Sequence, residues 1–177
     1  MFTIPAARKL ISFTTLAFVC CPPALSQQAR KQSAFCSECE VMHPIETPKN
    51  VGDLLRKDQL VIDTLKEENL SLEQLPNSWF CTTEIALGMA DEADYLVQAQ
   101  SYLAGAHATH FWIFRQTHSG TELVLQSFAN GLDILRRRSN NLQEIETENI
   151  TAVSFVKTYY HFVGNHYVQF KQQRGNL

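Results

Sequence analysis

Residues 153–170 read VSFVKTYYHFVGNHYVQF, and this stretch decides the fold class. Aromatic and β-branched residues crowd both sides of Gly164-Asn165; they suit a pleated, half-buried surface, and the two residues between them tolerate the positive φ of a tight hairpin turn. The turn sets Val163 opposite His166 and Phe162 opposite Tyr167, so the chain ends in an aromatic hairpin. Working back, similar runs bounded by turn signals predict strands at 79–86, 95–100, 110–116, 122–126 and 132–136, beside 153–162 and 166–170. His118-Ser119-Gly120 is expected to close another hairpin. Sequential hairpins without intervening helices imply an antiparallel sheet with one face packed and the other partly wet.

Upstream the period changes. Leu54, Leu55, Val61, Ile62 and Leu65 fall on one side of a 3.6-residue repeat, with Lys66, Glu67 and Glu68 outside it. Asn50 and Asp53 suit a helix start, through a side-chain acceptor for a free N–H and a negative charge near the positive end of the dipole. The pattern predicts one helix over 51–69, and Ser71 with Gln74 predicts a capping box for a further short turn. The expected fold is α+β: one N-terminal amphipathic helix packed on an antiparallel sheet of six or seven strands, covering one face with Leu54, Val61, Ile62 and Leu65.

The first 26 residues read as a signal peptide. Arg8 and Lys9 form a basic start, 10–21 is a short apolar run, Pro22-Pro23 breaks it, and Ala24 and Ser26 are the small residues that precede a cleavage site. The run is shorter than the roughly 20 residues that span a bilayer. The expected location is therefore periplasmic or secreted, with no transmembrane segment after signal removal. Residues 27–50, rich in Gln, Lys, Ser and Glu, are expected as a flexible arm before a single domain over 51–177. The leader carries two of the 15 Lys and Arg and none of the 18 Asp and Glu, leaving a formal charge of −5 on residues 27–177. That spread acidity argues against a nucleic-acid partner, and Arg136-Arg137-Arg138 reads as a solvated strand end.

Beyond the leader the cysteines are Cys36, Cys39 and Cys81. Cys36-Ser37-Glu38-Cys39 followed by His43 is the sharpest chemical motif, able to form an exchanging disulfide or to supply three ligands to a soft cation. A disulfide from Cys81 to Cys36 or Cys39, tethering the arm, is expected; the alternative is a local Cys36–Cys39 bridge with Cys81 buried and reduced. His107 with His110 suggests a metal pair, and Asp91, Glu92 and Asp94 a calcium turn, but a polar loop and a solvated turn are the plainer readings. Glu144 and Glu146 alternate onto one strand face. Phe111, Trp112, Phe114, Phe155, Tyr159, Tyr160, Phe162, Tyr167 and Phe170 are candidates to line a ligand groove, and most are expected as core. No nucleophile elbow, zincin helix or phosphate loop is present, and no cofactor is expected.

Asp91 to Gln98, Gly105-Ala106 with Phe111 to Arg115, and Tyr160 to Tyr167 together resemble the C-terminal β region of a group of small, uncharacterised exported bacterial proteins. The Asp-rich turn is similar to a degraded form of the calcium-type turns in FG-GAP-like repeats. The resemblance implies an exported β module and brings no catalytic residue. The function expected is a non-enzymatic binding protein whose partner is an unknown protein or cell-envelope component. The alternatives are an envelope thiol-redox or metal protein using Cys36, Cys39 and His43, and a small cell-wall hydrolase.

Overall fold

The structure, a computed structural model, describes residues 32–88 and 93–177. Among these residues nine strands form two antiparallel sheets: β2 (Phe80–Ile85), β3 (Asp94–Ala99), β4 (Thr109–Thr117) and β5 (Gly120–Ala129) in one, and β1 (Ala34–Cys36), β6 (Gly131–Ser139), β7 (Leu142–Ile150), β8 (Ser154–Val163) and β9 (His166–Asn176) in the other. The four-stranded sheet is a meander in the order β2-β3-β4-β5, and the five-stranded sheet runs β1-β6-β7-β8-β9. Asn130 alone separates β5 from β6, so the chain changes sheets at one residue. That corner is held by its side chain, which donates to the His107 carbonyl at 2.5 Å and accepts from the Ile150 N–H at 2.6 Å.

Alternation along the strands builds two cores. Leu96, Phe111, Ile113, Leu132, Ile145 and Phe162 pack between the sheets. Val97, Trp112 and Phe114 point the other way, into a second cluster with Val51, Leu55, Val61 and Leu65. The helical layer therefore covers the outer face of the four-stranded sheet, while the outer face of the five-stranded sheet has no layer over it among the described residues.

The α+β expectation fits, and its details differ. Among the described residues there are two α-helices, α1 (Lys49–Leu55) and α2 (Gln59–Glu67), in place of one over 51–69. Asp58 breaks the run: its carboxylate accepts from the Leu60 N–H at 2.9 Å as the N-cap of α2, and from the Trp112 indole N–H at 3.0 Å. Asn50 lies inside α1, its side chain bonding Gln116 and Thr121. The Ser71 and Gln74 capping box is present. The sheet expected as one layer of six or seven strands is two, with β1 and β7 added.

The terminal hairpin has the expected register, Val163 opposite His166 and Phe162 opposite Tyr167. Of its two turn residues only Gly164 has positive φ, at 63°, as in a turn that needs glycine at the first central position alone. The turn that does use two positive φ values is Asn140-Asn141, at 49° and 66°, joining β6 to β7.

Residues 32–48, expected within the flexible arm, are built into the fold. Phe35 is buried between the sheets and β1 pairs with β6. Val41 is buried, the Thr83 hydroxyl donates to the Met42 and His43 carbonyls at 3.3 Å, and Ile45 bridges Thr82 on the edge of β2. Two widely spaced apolar anchors in polar sequence are enough to seat the segment, but carry no period by which to find it. The signal peptide expected over 1–26 lies outside the described residues.

Gly175 in β9 sits under the Phe155 ring. A Cβ there would stand 2.5 Å from Phe155 Cε1, so Gly175→Ala must displace the ring and should cost roughly 1–2 kcal/mol. A lowered melting temperature checks this, with recovery in Gly175→Ala/Phe155→Leu; an unchanged melting temperature would contradict the packing.

Candidate functional site: the open face of the five-stranded sheet

Pairing register places the outer-face side chains in rows across the strands. Asp133 is opposite Glu146, Glu146 opposite Tyr159, and Tyr159 opposite Lys171. The next row runs from Cys36 through Gly131, Glu148 and Lys157 to Gln173. Gly131 has no side chain, and the face is hollowed there into a groove of about 640 Å³, lined by Cys36, Glu38, His107, Asp133, Glu146 and Glu148 among others.

The two halves of the face differ in chemistry. On the β6–β7 side carboxylates dominate, and Lys157 is their near cation, 2.6 Å from Glu146 and 3.6 Å from Glu148. The hydrogen bond to Glu146 holds the Lys157 ammonium above its usual pKa. Asp133 reaches solvent, yet partial burial raises its pKa, with Glu146 and Glu148 adding to the rise and Lys157 opposing it. On the β8–β9 side aromatics dominate. His161 and Phe170 stack with centroids 4.8 Å apart and planes 6° from parallel, and Tyr159 lies 6.4 Å from Phe170. Arg137 stands 5.4 Å over the Phe170 ring and Lys171 5.1 Å over Tyr159.

Asp133→Asn follows from this charge arrangement. A carboxylate with a raised folded pKa binds its proton more tightly folded than unfolded, so its ionisation destabilises the fold as pH rises through that range. The amide should stabilise the protein at pH 7 by roughly 0.2–0.5 kcal/mol, discounted for exposure. The gain should vanish at acid pH, where both states hold the proton; denaturant melts at the two pH values check it, and a destabilised variant at pH 7 would refute it.

The cysteines depart from the expected tether. Cys36 and Cys39 are joined to each other and Cys81 is free. The reason is local: residues 36–39 form a turn in which the Cys39 N–H donates to the Cys36 carbonyl at 3.2 Å, bringing the Cα atoms to 5.0 Å, inside the range a disulfide spans. Cys81, half-buried on β2, lies opposite Gln98, whose amide donates to the Cys36 carbonyl at 3.1 Å. Burial raises the Cys81 thiol pKa. The disulfide turn is fastened to the groove rim by the Ser37 hydroxyl on the His107 carbonyl at 2.6 Å and by Glu38 beside His107 at 3.0 Å.

The other sequence candidates do not converge. His43 is exposed with φ 56°, and no set of three or more His, Cys, Asp or Glu placed to hold a metal is assembled among the described residues. His110 packs between Trp112 and Phe128 on β4, where burial lowers its pKa against the opposing charge of Asp58. Asp91 and Glu92 lie outside the described residues, and Asp94 is buried, accepting from the Leu87 N–H at 3.1 Å. Glu144, expected on an exposed face with Glu146, is buried and bonded to Arg137, because an irregularity in β6 curls Arg137 over it. Of the outer-face set, Tyr159 and Phe170 are among the aromatics that the sequence offers for a ligand groove, whereas Asp133 and His161 escaped sequence reasoning. The signal for the face was the odd-numbered run Phe155, Lys157, Tyr159 and His161, which alternates with the inward Thr158 and Phe162.

Comparison with known proteins found no matching family model, no matching curated protein and no matching solved structure. No helix among the described residues is long and apolar enough to cross a membrane.

Proposed function

We propose that the chain is an exported, non-enzymatic binding protein, periplasmic or secreted, that presents the outer face of its five-stranded sheet to a protein or cell-envelope component. The observation carrying this reading is the contrast between the sheets. The helices bury the outer face of one, whereas the other leaves charged side chains lining a groove of about 640 Å³, with aromatic side chains in register on the adjoining strands. Exposed, organised surface of this kind marks interaction sites. Export rests on the basic and apolar leader.

Affinity capture from envelope extract tests it. Wild-type protein should retain a partner that Glu146→Lys/Glu148→Lys loses, since reversed charge opposes the same ligand. Retention by the reversed variant would overturn the reading. A second reading, thiol exchange, draws on the exposed position of Cys39 in the disulfide turn. It requires that Cys36→Ser/Cys39→Ser abolish the interaction, whereas the binding reading requires that it survive.

A further inference from the structure

We infer that the open face binds an extended neutral or N-acetylated polysaccharide; this rests on the binding reading and names its ligand. Sugar rings present two kinds of surface. Their C–H faces are apolar and weakly positive, and stack on aromatic rings; their hydroxyls donate best to carboxylates, in charge-assisted bonds about twice as strong as neutral ones. The face offers both, side by side. Phe170, 40% exposed and backed by the parallel His161 ring stacked on it at 4.8 Å, is the aromatic surface for stacking. Asp133, Glu146 and Glu148 supply acceptors on the adjoining strands, and Lys157 between them is a donor for ring or acetyl oxygens.

Length and charge select the class further. The row from Asp133 to Lys171 crosses four strands, about 14 Å at the usual spacing, longer than one sugar ring. Oligomers should therefore bind better than monomers. A nucleic acid or polyuronate would also meet aromatic rings with Arg137 and Lys171, but the carboxylate half of the same face repels a polyanion. The net charge of −3 on the whole chain acts in the same direction.

A nuclear magnetic resonance titration of the ¹⁵N-labelled protein tests the inference, using chitotetraose, cellotetraose, N-acetylglucosamine, tetragalacturonate and a single-stranded oligonucleotide. At least one neutral tetrasaccharide should give saturable shifts confined to the outer-face residues of β6 to β9, and bind about tenfold tighter than the monosaccharide because it fills successive positions. Phe170→Ala, at an exposed position, should weaken it about tenfold, the scale of one lost stacking contact. Asp133→Asn, an independent variant that removes a charged acceptor, should weaken it severalfold. No saturable shift at about 10 mM, a concentration that saturates a millimolar site, would overturn the inference. So would unchanged affinity in both variants, or tighter binding of tetragalacturonate or the oligonucleotide. If the sugars fail while charge reversal at Glu146 and Glu148 still abolishes envelope capture, the ligand class falls and the binding face stands; if both fail, both fall.

Discussion

Trp112→Ala should lower the free energy of unfolding by about 3–5 kcal/mol, the usual cost of emptying a buried aromatic site. Trp112 is fully buried where the helices meet the four-stranded sheet, with Phe80 edge-on at 6.1 Å. Its indole N–H also reaches Asp58, which caps α2 with its other oxygen. One carboxylate thus ends the break between the helices and docks the second helix on the sheet. Asp58→Ala removes the cap and leaves a buried donor unpaired, costing about 2–3 kcal/mol. A double-mutant cycle with Trp112→Phe should show coupling of roughly 1 kcal/mol. Urea unfolding at constant m-value reads all three; a Trp112→Ala loss below about 1 kcal/mol would refute this packing of the helical layer.

Phe162→Ala should cost a similar amount, about 3–5 kcal/mol, at the opposite core. Its ring meets Tyr167 edge-on at 5.3 Å between the sheets, and Arg115 of the four-stranded sheet stands 5.5 Å over it. Tyr167 beside it is buried, its hydroxyl donating to the Gln143 carbonyl at 2.7 Å, and burial pushes its pKa well above the usual phenol range. Removing Phe162 therefore leaves a cavity where the sheets join, beside a ring held in place by its hydroxyl's bond to Gln143. The whole transition should shift as one, because the cavity belongs to the core shared by both sheets. A separate early transition, or a loss below about 1 kcal/mol, would contradict a shared core.

The sequence showed some of this and hid the rest for physical reasons. Gly164-Asn165 fixed the last hairpin because register follows from a two-residue turn, and the residues placed opposite each other were the ones found. The division of the strands into two sheets was not legible. Asn130 breaks no periodicity, and its role comes from hydrogen bonds to His107 and Ile150, both distant in sequence. β7 escaped because Gln143, Glu144, Glu146 and Glu148 look like solvated sequence, although Ile145 and Thr147 between them are buried. The helix break escaped because Asp58 sits between two apolar runs whose spacing continues across it. The candidate face was only partly legible: its carboxylates and aromatics come from four consecutive strands, β6 to β9, and without β7 in the reading no register sets them side by side.

The central claim is that this face meets a ligand in the cell, and site-specific photocrosslinking tests it most directly. A photoreactive phenylalanine analogue replaces Ile150, which is 45% exposed at the groove margin, and separately Leu72, 43% exposed after the helices. Irradiation of intact cells that express the protein should give a discrete adduct from the Ile150 position that Glu146→Lys/Glu148→Lys removes, and none from the Leu72 position. Adducts only from the Leu72 position, or an Ile150 adduct indifferent to the charge reversal, would contradict the account.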